Sequence, residues 1–565
     1  MASKKQTLTS ILTALIIAFF LMLFLTRSSF LYPYNNWDDS NSYFSMGKSM
    51  FHGTLIYRDL FDQKGPYLYF IYGLCSLLSR TTFYGVFAME VIWAAADLLL
   101  INKVLRIYCS KRVSLFLSPL LLTCMFASKS FYWGGCAEEL CLPFLLYPLY
   151  VLMSRLQRYS CKNHPAKANL PKSSVSETTS AADEFAADTV FSSKGNPREQ
   201  DAVFSPRDIL LAGLCCGFVF CVKFTLMGFF LGFAIIVILT CRSLREFWKL
   251  AGCYLLGILL PFVPWLLYFA VTGGLDDWYR VYIYTNVFLY SDFGANSHGA
   301  SAAQKVYDLA KILYWLILDN LQYYVFILLG MLWSLLRRGA SLLQRILTIL
   351  LFGCTFLFIY IGGAHLPYYA LPLTVLAIPG GCALGTGIDR LAARRSSHSA
   401  PGSHSVSGLH SASVCRRQIV LALLLAADAA LCFCVFRCFS WNADYLGTPK
   451  EDVFLSKFTE DIRNDRAAGL VSSENTTLLN IGCLDCGLYN AADIYPTCYW
   501  FQTQTLPGDE VTTEQLSYIT DVRTDYIVAR DTYPNEIWEH YELIDTFHQD
   551  LAPQSFDYYL FRKCR

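Results

Sequence analysis

Apolar runs long enough to enter or cross a bilayer recur along most of this chain, and the turns between them carry its arginines; that pattern admits few folds. The runs fall at residues 8–26, 83–105, 113–128, 140–153, 209–222, 224–240, 248–271, 311–336, 346–361, 366–388 and 419–439, eleven in all. Basic residues cluster at every second turn: Arg106, Lys111 and Arg112; Arg155 and Arg158; Arg242, Arg245 and Lys249; Arg337, Arg338 and Arg345; Arg390, Arg394 and Arg395; Arg416 and Arg417. Cytoplasmic turns retain positive charge, so this alternation predicts a cytoplasmic N-terminus. It also places residues 37–66, and everything after residue 439, on the extracytoplasmic side. Lys4 and Lys5 precede the first run and no small-residue cleavage site follows it, which reads as a span rather than a cleaved signal.

Charged residues make up 16% of the chain, where a soluble domain carries about a quarter. A net charge of +1 excludes a nucleic-acid partner and leaves membrane lipids as the general environment. Most of the 21 cysteines lie in apolar runs, where a thiol acts as a small hydrophobe, and they make no disulfide framework. We expect an all-α polytopic membrane protein over residues 1–440, interrupted by disordered cytoplasmic loops at 161–207 and 394–415. Residues 441–565 turn soluble in composition. A helical period over 453–466, short strand patterns near 477–481, 526–529, 541–546 and 558–561, and helices near 513–519 and 535–539 predict a small α/β domain. Cys483 and Cys486 could form half of a zinc site, but no second pair follows, so a disulfide or free thiols is the better reading.

Between the first two spans, residues 37–66 gather Asp38, Asp39, Arg58, Asp59, Asp62 and Lys64. Ionisable groups concentrated at a membrane mark a site for chemistry. If the segment after Trp37 is helical, Asp39, Tyr43 and Gly47 share one face. Residues 67–78 are too short to cross and read as an interfacial helix that begins at Pro66. The same topology carries further polar groups to that side: Glu138 and Glu139 after Trp133-Gly134-Gly135, Lys223, His365, Tyr368 and Tyr369. Each has a plain structural explanation, the glutamates at a helix start and Lys223 snorkelling, but together they suggest one site.

No nucleotide motif supplies that site. Gly47-Lys48-Ser49 imitates the end of a P-loop, but Ser42 stands where its first glycine belongs, and there is no HExxH or GxSxG. A lipid-linked donor fits better, because its phosphate sits at headgroup level. Lysine, arginine or the helix N-terminus after Pro66 could hold that phosphate.

Asp39-x3-Tyr43-x3-Gly47, followed by Gly53-x3-Tyr57-Arg58-Asp59-x-Phe61-Asp62-Gln63-Lys64-Gly65-Pro66, resembles the first outer loop of GT-C glycosyltransferases of the family 39 type. Protein O-mannosyltransferases, the lipid A aminoarabinose transferase and rhizobial lipopolysaccharide-core transferases belong to that type. Glu138-Glu139-Leu140-x2-Pro143 and His365-x2-Tyr368 are similar to later segments of it, so the resemblance spans roughly residues 8–390. It implies a polyprenyl-phosphate sugar donor, a glycan, lipid or protein acceptor, an inverting transfer and a catalytic aspartate in the first outer loop. Spacing to Tyr43 and Gly47 puts that aspartate at Asp39. The family often has an acid next in order, whereas here Ser40 follows and Asp38 precedes, so Asp38 stands as the second candidate. Lys64, Arg58 and Lys223 would hold the donor phosphate, and Tyr43, Glu138, Glu139, His365 and Tyr368 would line the substrate site. No cofactor is required by any motif, and a divalent metal is compatible with such a site. The competing class is a transporter or flippase of a lipid-linked glycan, for which Asp97, Asp319 and Asn320 inside spans would line a path.

Overall fold

The computed structural model describes residues 2–163, 202–289, 301–363, 365–398, 410–504, 509–551 and 554–565. The loops expected at 161–207 and 394–415 lie largely outside them. Helices α1 (Ala2–Leu25), α2 (Asp38–Phe51), α3 (Pro66–Ser76), α4 (Tyr84–Leu105), α5 (Lys111–Phe126) and α6 (Ala137–Asn163) form the first half of the membrane domain. The second half comprises α7 (Pro206–Phe220), α8 (Met227–Thr240), α9 (Leu244–Leu259), α10 (Val263–Thr272), α11 (Ala302–Asp319), α12 (Leu321–Leu336), α13 (Leu342–Tyr360), α14 (Ile378–His398) and α15 (His410–Phe439).

Among the described residues, seven helical stretches are long and apolar enough to cross a bilayer, including Lys5–Leu25, Tyr84–Leu105, Ala137–Cys161 and Leu244–Thr272. With the large apolar side chains left on their surfaces, such as Phe20, Leu255, Leu267 and Leu424, they define a multi-pass membrane protein. The structure does not reproduce the simple list of eleven. The stretch expected as one span at 311–336 is two helices, α11 and α12, meeting at 113°. Asn320 sits at the break, where its side chain accepts from the Ser130 amide and hydroxyl and donates back to the Leu316 carbonyl, competing with the helical ladder. Helices α5 and α7 are only 16 and 15 residues long. The stretch expected at 366–388 opens as a 3-10 segment, Pro367–Ala377, before α14.

The C-terminal domain holds α16 (Phe454–Ala467), β1 (Leu478–Ile481), α17 (Glu510–Thr520), β2 (Tyr526–Arg530), β3 (Tyr541–Leu551) and β4 (Gln554–Lys563). The sheet order is β1-β2-β4-β3, with β1 parallel to β2 through the α17 crossover and the other pairs antiparallel. Leu478, Leu479, Ile527, Val528, Leu560 and Phe561 are buried on it, and Phe454 of α16 stacks on Tyr558 at 3.7 Å. Cys483 and Cys486 are buried free thiols.

Helix α2 joins the two domains. Its sequence, DDSNSYFSMGKSMF, is polar, yet Ser40 through Ser49 are all buried. A polar helix can be buried on all sides only if its groups find partners. On one face they find the C-terminal domain: Asn41 meets Asn490 at 3.2 Å, Ser45 donates to Asp485 at 2.5 Å, and Lys48 donates to the Tyr489 carbonyl at 3.0 Å. On the opposite face Gly47 touches α3, where a Cβ would lie 2.5 Å from Gly73 N and Tyr69 O. This contact explains the glycine in the Asp39–Tyr43–Gly47 spacing: only a bare α-carbon lets the two helices approach so closely.

Candidate active site

Register along α2 separates its two acids. Adjacent helical residues point about 100° apart. Asp38 turns toward the C-terminal domain and pairs with Arg530, at the end of β2, at 2.8 Å. Burial pushes the Asp38 carboxyl up to about 7, although the guanidinium beside it pulls the other way. Asp39 turns toward the membrane domain and hydrogen-bonds the Tyr368 hydroxyl. Trp37 braces the start of the helix, its ring 5.0 Å from those of both Tyr132 and Tyr368.

Tyr43, one turn further along, is buried within electrostatic reach of Asp39, Asp62, Glu138 and Tyr368. Lys64 Nζ lies 5.9 Å from its ring centre. The loop before α3 places that lysine through three contacts. The Tyr57 hydroxyl donates to the Lys64 carbonyl at 2.7 Å, and the Lys64 amide donates to the Tyr69 hydroxyl at 2.9 Å. The Gly65 amide donates to the Val222 carbonyl, and a Cβ on Gly65 would lie 2.0 Å from Cys221 O. The same approach brings up Lys223, which pairs with buried Glu138 and lies 4.1 Å from the Tyr369 ring and 5.2 Å from that of Tyr368. Asp39, Tyr43, Lys64, Glu138, Lys223 and Tyr368 therefore form one cluster, although they come from four separate parts of the chain.

Three sequence candidates stand apart from it. Arg58 is exposed and pairs with its neighbour Asp59 at 3.0 Å. His365 is exposed, its ring 6.1 Å from Tyr360, and partial burial lowers its pKa. Glu139 accepts from the Gly135 amide at 3.0 Å with one oxygen, and its other oxygen is buried without a partner. Two residues enter that were not candidates. Asp62 is buried, with one oxygen unpartnered and the other accepting from the Gln63 amide; burial raises its pKa against the pull of Lys64. Its place inside the charged motif was a usable signal. Arg530 had no such signal, because it ends a strand some five hundred residues away. Asp319 and Asn320 lie at a bend of 113° between two apolar helices that together make a broken span or a re-entrant loop. They occupy the α11–α12 break, where half-exposed Asp319 pairs with Lys129 at 2.7 Å. Among the described residues no three His, Cys, Asp or Glu side chains converge as metal ligands.

The arrangement offers a carboxylate, two ammonium groups and hydroxyls at one end of the helical bundle, under a soluble cap. ArnT from Cupriavidus metallidurans, the lipid A aminoarabinose transferase, has the same architecture. Its apo structure matches with a TM-score of 0.54 at 12% identity over 99% of this chain and 98% of that one. Its complex with undecaprenyl phosphate matches at 0.52 and 13% identity over 98% of each. The oligosaccharyltransferase AglB from Archaeoglobus fulgidus, in complex with an inhibitory peptide and a dolichol-phosphate, aligns over 92% of this chain and 69% of its own at 12% identity and a TM-score of 0.46. No family model and no curated protein matches the sequence. At such low identity the likeness establishes fold alone: the chain is a multi-pass membrane protein with the GT-C fold and a small α/β domain at its C-terminus.

Proposed function

We propose that this chain is an inverting glycosyltransferase that moves a sugar from a polyprenyl-phosphate donor to a cell-envelope acceptor on the extracytoplasmic side. The observation that carries the proposal is the division of the two aspartates. Asp38 is tied to Arg530, while Asp39 faces Tyr368 in the cluster that also holds Lys64 and Lys223. Asp39 takes the proton of the acceptor hydroxyl as its oxygen bonds to the anomeric carbon. The bond from that carbon to the phosphate oxygen breaks on the opposite face, and polyprenyl phosphate leaves with the electron pair. Lys64 and Lys223 lie where cations would stabilise that departing charge, Lys223 with its own charge balanced by Glu138. Tyr368 holds Asp39 in place. The ArnT complex with undecaprenyl phosphate supports this donor class.

The test is reconstitution of the full chain with a polyprenyl-phosphate-linked sugar and an envelope extract from cells lacking the chain. Acceptor-dependent release of polyprenyl phosphate, with a glycan of increased mass, is expected. Movement of intact donor across the bilayer without release would support a flippase instead.

A further inference from the structure

Helix α11 turns away from the bundle. It bends through 113° from α12, the apolar helix that follows it. With α12 tilted as membrane spans usually are, α11 runs closer to the membrane plane than to the normal. Its 18 residues include Lys305, Asp308, Lys311 and Asp319, too many charges for a span of its own.

At 100° per residue its side chains divide into three faces. Leu309, Ile312, Leu313 and Leu316 form one stripe, packed against the core, with Leu316 buried. Val306, Tyr307, Tyr314 and Leu318 form a second, which is apolar and 67%, 63%, 58% and 45% exposed. Gln304, Asp308 and Asp319 lie on the third, where Gln304 donates to Asp308 at 2.9 Å. Lys311 stands where the third face meets the second, and Trp315 is the one large apolar side chain on the third.

Contacts at its C-terminal end keep the apolar face turned outward. Asp319 pairs with Lys129 at 2.7 Å, and Asn320 accepts from the Ser130 amide and hydroxyl. Together with the buried stripe they fix the rotation of the helix. Beyond the bend, Leu321, Val325 and Leu328 of α12 are exposed too, so the lipid-facing surface of that helix runs up to α11. Apolar surface left in water costs about 25 cal/mol per Å². The two tyrosines add rings with polar tips, the kind of side chain that settles at headgroup level.

We infer that α11 lies in the headgroup layer on the side of the membrane that bears the Asp39 cluster, with Val306, Tyr307, Tyr314 and Leu318 in lipid and Gln304 and Asp308 in water. The apolar face of such a helix sinks about 5–10 Å into the boundary between headgroups and acyl chains. Lys311, at the border, reaches lipid phosphate along its own stem. Because Asp319 and Asn320 hold Lys129 and Ser130, the loop leading to Tyr132 lies at the same depth.

The experiment maps lipid contact on the full-length chain in phosphatidylcholine liposomes. The photoreactive residue p-benzoylphenylalanine is placed singly at Tyr307, Tyr314, Gln304 and Leu328, all exposed positions where a larger ring displaces no core side chain. Adducts formed on irradiation are read by mass spectrometry, with Leu328 on α12 calibrating the yield. Phospholipid adducts are expected at Tyr307 and Tyr314 with yields near that at Leu328, and their loss is expected at Gln304. Failure of lipid to add at Tyr307 and Tyr314 while Leu328 labels overturns the inference. So do adducts between two chains at these positions, which would mark an interface between copies, and adducts to peptides of the same chain. Equal lipid yields at Gln304 and Tyr314 overturn it as well, because the helix would then be sunk in lipid on every side.

Discussion

Replacing Asp39 by Asn separates position from basicity. The Asn carbonyl can still accept from Tyr368, so the side chain keeps its place on α2 and the packing beneath Trp37 is preserved. What is lost is the ability to take a proton at the moment of attack. Loss of a positioned general base is worth at least ~100-fold in turnover, about 2.7 kcal/mol at 1.36 kcal/mol per tenfold. Asp38→Asn is the matched control. It removes the carboxylate from a pair with Arg530 whose side chains are 19% and 15% exposed. Loss of a charge-assisted contact costs ~1.5–3 kcal/mol, and water reaching the pair draws this toward the lower end. That loss falls on the joint between the domains and is offset by relief of a buried charge, so a small change in unfolding temperature is expected, with turnover reduced far less than in Asp39→Asn. The assay is polyprenyl phosphate release at saturating donor and acceptor, with the donor KM measured for each variant. Normal turnover in Asp39→Asn would refute the mechanism, and a reversed pair of results would make Asp38 the base.

Lys64→Ala should raise the donor KM roughly ten- to a hundred-fold, whereas Arg58→Ala, which removes an exposed pair, should change it less than about twofold; equal effects in donor titrations would contradict the arrangement of the loop. Gly65→Ala forces a Cβ to within 2.0 Å of Cys221 O, so the backbone must shift, and thermal unfolding should show at least the ~1–3 kcal/mol typical of overpacking together with weaker donor use. Asp38 has a folded pKa of about 7, above its unfolded value of 3.8, so its ionisation opposes folding. Its contribution worsens as pH rises from about 4 to about 7 and then levels, so wild type should lose stability relative to Asp38→Asn over that window in melts recorded at stepped pH. Exposed Cys564, in the C-terminal domain, should react with a membrane-impermeant maleimide on intact cells and lose that label in Cys564→Ser; labelling only after lysis would place the domain in the cytoplasm.

Much of the fold was written in local pattern. The strands of the C-terminal domain fall where the short strand patterns put them, β3 and β4 running longer than expected, and Pro66 starts α3 as the Gly65-Pro66 pair suggests. The span list went wrong where a single polar residue acts through tertiary contacts. Residues 311–336 are apolar enough for one span, but Asn320 is held by Ser130 from another part of the chain, and hydropathy averaged over a window does not register it. Helix α2 shows the opposite case. Its polar sequence gives no local sign of burial, yet it is buried because a second domain covers it.

The cluster was legible for a related reason. Asp39, Tyr43, Lys64, Glu138, Lys223 and Tyr368 were gathered by topology, since alternate ends of membrane helices must share a side; what topology could not say is which of them touch. Contact depends on backbone approach, as where Gly65 meets Cys221 and so sets Lys64 beside Lys223. Which acid is free to act on substrate depends on a residue that no local pattern marks. Without Arg530, Asp38 and Asp39 are equivalent by charge and differ only by register. With it, one acid is held by the cap and the other left facing Tyr368, so in the proposed mechanism the C-terminal domain selects the base even though it supplies no residue to the cluster around Asp39.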